Sequence, residues 1–194
     1  LNKLALQTQV VIKKSNINYQ HGRILYAELC NYIQNNSTRN IVILETGTAR
    51  GFSAICMAKA LNDAKFEGSI FTIDVLPHNI KMFWNSITDH TIGKQSRKEL
   101  ITNWNSLIER HIFFLQGTSN NILSKLTLPR IHFAFLDGAH TFENVMFEFN
   151  YINNSQKRGD VIVFDDYNVK SFPGIVKAVN FISKNMNYEI RIIK

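Results

Sequence analysis

Short apolar runs alternate with longer amphipathic stretches along this chain. Five runs of mostly aliphatic and aromatic residues are each followed by a polar residue, and they cover residues 41–44, 70–73, 112–115, 131–136 and 161–164. Runs that stay apolar at successive positions are typical of strands that are buried on both faces, as in a parallel sheet. The pattern therefore predicts five strands of a mostly parallel sheet.

The stretches between these runs carry apolar residues at helical spacing. Residues 52–61 and 142–151 repeat apolar side chains every three or four positions, and residues 173–182 do the same behind a proline, which helices accept in their first turn. Residues 1–36 are also predicted to be helical. Repeated strand–helix–strand units predict an α/β fold with a doubly wound sheet.

The length of 194 residues fits a single domain that covers residues 1–194. Residues 77–108 form the longest interval between predicted strands and include Trp84 and Trp104. We therefore expect an insertion there that forms a lid or a wall of a binding site. After the last predicted helix the chain has room for one further strand, at residues 188–193.

The net charge of +7 favours an anionic partner only weakly. Basic residues are scattered, apart from a few adjacent pairs: Lys13 with Lys14, Arg97 with Lys98, and Lys157 with Arg158. A nucleic-acid partner is therefore not expected. Cys30 and Cys56 are interpreted as free thiols in a reducing, cytoplasmic compartment. No apolar run is long enough to predict a membrane span.

The first candidate site is the loop after the first predicted strand, which runs from Glu45 to Ser53. Gly47 and Gly51 allow a tight turn and a close approach of the backbone to a ligand, and the following helix offers free amide groups at its N-terminus. Asp74 ends the next strand, where a carboxylate can hold the ribose of an adenosine. The simpler alternative is a tight strand–helix turn that binds nothing.

The second candidate site combines the ends of strands four and five. Asp137 follows strand four, and Asp165 and Asp166 follow strand five, so neighbouring strands bring these carboxylates together. Oxygen ligands of this kind suit Mg²⁺, Mn²⁺ or Ca²⁺. His140 lies three residues beyond Asp137 and is a candidate general base.

Simpler interpretations remain open at this second site. The two adjacent aspartates could cap a turn or a helix after the strand, and His140 could be a surface or capping residue. Weaker candidates for the site are His78, His90 and Tyr167. The remaining histidines, His21, His111 and His132, are interpreted as structural.

The glycine loop and Asp74 together resemble the first two motifs of class I S-adenosylmethionine-dependent methyltransferases. The resemblance implies that the glycine loop binds the methionine part of the cofactor and that Asp74 binds its ribose. It assigns the cofactor site to Glu45, Gly47, Thr48, Gly51, Ser53, Asp74 and Asp137. An acidic residue near the adenine is common in the family, but here that position is Thr118, so Thr118 or Ser119 would supply a hydroxyl group instead.

Residues 135–145 and 159–166 narrow the resemblance to metal-dependent O-methyltransferases of the macrocin and cephalosporin-hydroxylase type. The resemblance implies that Asp137, Asp165 and Asp166 bind Mg²⁺ or Mn²⁺ and that His140 is the base. The sheet of these enzymes ends in an antiparallel hairpin, for which this sequence has room for only one strand.

The sequence therefore predicts an S-adenosylmethionine-dependent, divalent-metal-dependent O-methyltransferase. Its expected acceptor is a small hydroxylated molecule such as a sugar or a glycan, and assembly into a homo-oligomer is compatible with the sequence. The alternative is a methyltransferase-like module that binds a cofactor or a nucleic acid without transferring a methyl group to oxygen.

Overall fold

The computed structural model describes residues 1–9, 19–36 and 40–193. Five parallel strands form one sheet in the order β3-β2-β1-β4-β5. They are β1 (Asn40–Thr46), β2 (Glu67–Asp74), β3 (Ile112–Gln116), β4 (Phe133–Leu136) and β5 (Val161–Phe164). The prediction of a doubly wound α/β fold with a mostly parallel sheet is confirmed.

Helices connect the strands and cover both faces of the sheet. Those in the described residues are α1 (Asn2–Thr8), α2 (Tyr19–Gln34), α3 (Phe52–Asp63), α4 (Thr88–Thr91), α5 (Arg97–Leu100), α6 (Asn105–His111), α7 (Ser119–Leu123), α8 (Phe142–Asn153) and α9 (Pro173–Asn185). The helical prediction for residues 1–36 corresponds to α1 and α2, but the pair of Lys13 and Lys14 lies outside the described residues. None of the described helices is long and apolar enough to cross a membrane.

Alternate residues of the central strands belong to different hydrophobic clusters. Ile43 of β1 and Phe133 of β4 pack in a cluster with α2, α3 and α6, whereas Leu44 and Ala134 pack on the opposite face. Because successive side chains of a strand point to opposite faces, a strand that is covered on both faces needs apolar residues at every position. This is why short uninterrupted apolar runs identified the strands.

The order of the strands determines where a ligand can bind. The chain runs outward from β1 through β2 to β3, and then returns to the other side of β1 for β4 and β5. The loops after β1 and β4 therefore leave the sheet on opposite faces at its carboxyl end, and open α/β sheets bind ligands in the crevice between such loops.

The far edge of β5 differs from the sequence-based expectation. The strand predicted at residues 188–193 is not formed, and these described residues belong to no helix or strand. Tyr188 donates a hydrogen bond of 2.7 Å to Gln156 Oε1, and Arg191 pairs with Glu28 of α2. These contacts hold the segment across a groove from β5 rather than against it.

Candidate active site

The glycine loop after β1 packs directly against the loop after β4. Gly47 has φ of +90°, and a Cβ atom placed there would lie 2.3 Å from the carbonyl oxygen of Asp137. Gly51, with φ of +86°, precedes α3. Only glycine fits such a close approach at a left-handed position. The two sequence motifs therefore form one continuous surface at the carboxyl end of the sheet.

Glu45 lies beneath this loop and is fully buried. Its carboxyl group accepts hydrogen bonds from the hydroxyl groups of Ser53 and Thr72, and the Thr72 hydroxyl lies 2.5 Å from that of Thr48. Burial raises the pKa of Glu45 to about 7, although these hydrogen bonds oppose the increase. Glu45, Thr48 and Ser53, all predicted to bind the cofactor, thus form an internal network that holds the loop.

The carboxylate of Asp74 contacts the same loop from the neighbouring strand. One oxygen accepts a hydrogen bond of 2.5 Å from the backbone amide of Ala49, and the other accepts one of 2.8 Å from the amide of Leu76. Ala49 has φ of +43°, a left-handed conformation that costs a non-glycine residue about 1 kcal/mol or more. The Asp74 contact offsets part of that cost.

Three ionisable groups converge beside the glycine loop. Asp137, His140 and Asp166 each offer a ligand atom, and these atoms all lie within 4.8 Å of one another. His140 Nε2 is 3.2 Å from an oxygen of Asp166, and the His140 ring stacks on Phe172 at 4.5 Å between centroids. Two carboxylates and one imidazole at these distances are a donor set that fits a divalent cation.

Asp165 does not join this group. Its carboxylate faces α2, where it lies 3.6 Å from Nε2 of His21. Both aspartates follow the last residue of β5, and Asp166 has φ of +55°, a left-handed conformation, where its side chain turns to His140. The role of Asp165 as a metal ligand stays a prediction.

The remaining sequence candidates have structural contacts of their own. Thr118 caps α7 by accepting a hydrogen bond of 3.3 Å from the amide of Asn121. The His78 ring stacks on Phe114, His90 is exposed on α4, and the Tyr167 hydroxyl donates to Asn180. Within the described residues, the cluster of possible metal ligands includes none of these side chains.

The family model described as "Methyltransferase domain" matches residues 44–167, a range that contains every candidate residue of both sites. The chain belongs to this methyltransferase family. A search of curated proteins gave no significant match.

Solved structures share the fold of this methyltransferase across nearly all of its length. The O-methyltransferase NovP is 17% identical, with a TM-score of 0.69 over 100% of this chain and 84% of its own. TomG from Streptomyces achromogenes, solved with S-adenosylmethionine, is 16% identical, with a TM-score of 0.63 over 96% and 78%. CalS11, a TDP-rhamnose 3′-O-methyltransferase, is 14% identical, with a TM-score of 0.64 over 99% and 87%.

A groove of about 1260 Å³ adjoins the candidate site of the methyltransferase. It runs between α2 and β5, and its lining includes six predicted site residues: Gly47, Thr48, Ser53, Asp137, Asp165 and Asp166. A groove of this size next to the converging carboxylates can hold ligands of several hundred Å³.

Three charged or titratable residues near the site have contacts that the sequence did not predict. His21 was interpreted as structural, yet it faces Asp165. Glu148 of α8 is buried and accepts a hydrogen bond of 3.0 Å from Thr46, and burial raises its pKa. Arg97 was singled out only as one of a basic pair, yet it lies beside Asp74 and is 2% exposed. Of these three residues, only Glu148 could have been noticed in the sequence, because it is an acidic residue on the apolar stripe of a helix.

Proposed function

We propose that this methyltransferase transfers a methyl group from S-adenosylmethionine to a hydroxyl group of a small acceptor, with a divalent cation at the reacting end. The observation that carries the proposal is the convergence of Asp137, His140 and Asp166 beside the glycine loop. The O-methyltransferase NovP and the sugar-nucleotide enzyme CalS11 share the fold, which supports a sugar or glycan as the acceptor class.

The glycine loop and Asp74 would bind the cofactor. Gly47 and Gly51 place no side chain at either end of the loop, and the N-terminus of α3 would offer free amide groups and the positive end of its dipole to the cofactor. Asp74 would hold the ribose hydroxyl groups, and Ser119 or Thr118 would contact the adenine. Bound S-adenosylmethionine would supply an activated methyl group.

Asp137 and Asp166 would hold the cation, Mg²⁺ or Mn²⁺, with Asp165 as the further predicted ligand once its side chain turns from His21. A cation held there would supply Lewis-acid chemistry to an acceptor hydroxyl. His140 would accept the hydroxyl proton at Nε2, which already faces the site. Phe172 fixes the plane of the imidazole, so that the base needs little reorganisation.

Residues 77–108 would form the acceptor wall within a single domain of residues 1–194. Trp84 is buried there, and its indole nitrogen donates a hydrogen bond of 2.8 Å to the carbonyl group of Gln95, so this indole is a structural element of the wall. Phe83, Ile87 and Ile92 are exposed on the same segment and could contact an acceptor. The free thiols of Cys30 and Cys56 support the proposed cytoplasmic location.

Methyl transfer and metal binding can be tested on the same variants. Transfer of an isotope-labelled methyl group to a panel of free and nucleotide-linked sugars should stop in excess chelator and return with Mg²⁺ or Mn²⁺. Asp166→Asn should lower both transfer and Mn²⁺ affinity, the latter by about tenfold or more as followed by electron paramagnetic resonance. Asp63→Asn is the matched control, because Asp63 pairs with Lys59 at the end of α3.

The metal, the role of His140 and the role of Asp165 can each be contradicted by a different result. Full transfer in excess chelator would contradict the metal and leave the transfer reaction in place. A nitrogen coupling in the Mn²⁺ spectrum that disappears in His140→Ala would show that His140 is a ligand rather than the base. An unchanged Mn²⁺ affinity in Asp165→Asn would remove Asp165 from the ligand set.

A further inference from the structure

Arg97 extends from the segment of residues 77–108 into the glycine loop. Its Nε donates a hydrogen bond of 2.7 Å to the carbonyl oxygen of Ala49, and its Nη2 lies 3.4 Å from Oδ2 of Asp74. The same Asp74 oxygen accepts the amide hydrogen of Ala49 at 2.5 Å. The guanidinium group, the loop peptide and the carboxylate therefore form a closed ring of polar contacts.

The ring is buried. The side chain of Arg97 is 2% exposed and that of Asp74 is 10% exposed. The Arg97 guanidinium lies over the rings of Trp84 and Phe114, at 5.5 and 5.9 Å from their centroids. A buried charge persists only where a partner compensates for its lost hydration, and Asp74 is the carboxylate in ion-pair contact with it. Among the described residues, Nη2 has no acceptor with full hydrogen-bond geometry.

Local structure fixes Arg97 where it enters the loop. Ser96 caps α5 in a reciprocal capping box with Glu99, with hydrogen bonds of 3.1 and 2.8 Å. Backbone hydrogen bonds between Met82 and Gln95 hold the preceding residues in an antiparallel bridge. The position of the guanidinium group therefore depends on the fold of residues 77–108, the proposed acceptor wall.

From this geometry we infer that Arg97 is a positioning residue for the cofactor, which acts by holding the Ala49 peptide and the Asp74 carboxylate in place. The inference rests on the proposed function, because Asp74 matters only if it binds the ribose. A planar fork that contacts both groups at once explains why arginine is used here, since the single ammonium group of lysine cannot match it. Arg97 then couples the acceptor wall to the cofactor loop from one side, and Arg50 of the loop adds a second link by donating a hydrogen bond of 2.7 Å to the carbonyl oxygen of Trp84.

Calorimetry with S-adenosylhomocysteine tests the inference without an acceptor. We expect Arg97→Gln to bind about tenfold more weakly than the parent protein, and Arg97→Lys to recover only part of the loss. Arg110→Gln is the matched control, because it removes an exposed arginine that pairs with Glu67 on the surface. The free energy of unfolding of each variant, measured in urea, shows whether the variants are folded during the titration.

A double-mutant cycle then separates positioning from a general structural role. If Arg97 acts through Asp74, Arg97→Gln should cost much less affinity in an Asp74→Asn background than in the parent. Equal losses in both backgrounds, or parent-like affinity of Arg97→Gln, would overturn the inference and leave the proposed function intact. Failure of the parent protein itself to bind S-adenosylhomocysteine would contradict the proposed function instead.

The parent protein provides a second readout if the Arg97 variants do not fold. The Nε–H resonance of Arg97 should be visible by nuclear magnetic resonance, because the group is buried and hydrogen-bonded. Addition of S-adenosylhomocysteine should shift this resonance. An unchanged resonance in a protein that binds the ligand would contradict the inference.

Discussion

Glu45 is the residue whose ionisation we expect to affect stability most strongly near neutral pH. Its pKa is raised from 4.5 to about 7 by burial, so the folded state keeps a proton that the unfolded chain loses. Protonated Glu45 adds to the free energy of unfolding in full below pH 4.5, and this stabilisation is lost as the pH rises to about 7. This difference between the pKa values of Glu45 in the folded and unfolded states corresponds to about 3 kcal/mol in the free energy of unfolding. Glu45→Gln should remove this part of the pH dependence.

Urea unfolding at several pH values across that window measures the effect. The free energy of unfolding of the parent should fall with rising pH relative to that of Glu45→Gln. Glu67→Gln is the control, because Glu67 is an exposed carboxylate at the start of β2, and it should keep the pH dependence of the parent. Parallel curves for the parent and Glu45→Gln would show that the folded state does not retain the proton.

The sequence predicted which strand ends meet, but not the contacts that the side chains make there. Asp137 and Asp166 converge as predicted, because they follow neighbouring parallel strands. Asp165 faces His21 of α2 whereas Asp166 faces His140, and the left-handed backbone of Asp166, with φ of +55°, is not evident from the sequence. The contact of Arg97 with Ala49 joins residues 48 positions apart, so only the folded structure identifies it.

At the scale of elements, α9 packs against the loop that carries His140. A Cβ atom at Gly174 would lie 2.3 Å from the carbonyl oxygen of His140 and 2.8 Å from the backbone nitrogen of Phe142. Both are backbone atoms, so neither can move without shifting the loop or the helix. Gly174→Ala should therefore lower the free energy of unfolding by about 1–3 kcal/mol and reduce methyl transfer by displacing the base.

Unfolding in urea and methyl transfer measured on the folded protein check this expectation. Ser183→Ala is the control on the same helix, because Ser183 is exposed and its hydroxyl group donates a hydrogen bond of 3.0 Å to the carbonyl oxygen of Asn180, one turn earlier. A Gly174→Ala variant with the stability and activity of the parent would show that the loop after β4 adapts to α9 at little cost.

Elements were easier to predict than the contacts between them. Four of the five apolar runs lie wholly within an observed strand, because coverage on both faces requires apolar residues at successive positions. The run at residues 131–136 also includes His132, whose ring nitrogen instead accepts a hydrogen bond of 3.0 Å from the amide of Val42 before β4 begins. The strand expected at residues 188–193 is not formed, because contacts with Gln156 and Glu28 hold this segment across the groove from the edge of β5.

At the scale of the whole molecule, β5 presents an edge of the sheet to the groove. Its residues are only half-buried. The amide of Val161 donates to the carbonyl group of His132, just before β4, and the amide of Asp165 donates to that of Leu136 in β4. In a parallel ladder alternate residues bond to the same neighbour, so the amides of Ile162 and Phe164 point toward the groove. An open edge of this kind is a template for pairing with a further strand.

Hydrogen exchange of single amides reports whether this edge is free in solution. We expect the amides of Ile162 and Phe164 to exchange much faster than those of Val161 and Asp165, because only the latter bond within the sheet. Equal protection that increases with protein concentration would instead show a second copy on the edge, and hence a homo-oligomer. Equal protection at every concentration would mean that residues 188–193 close onto β5 and fill the groove beside the proposed metal site.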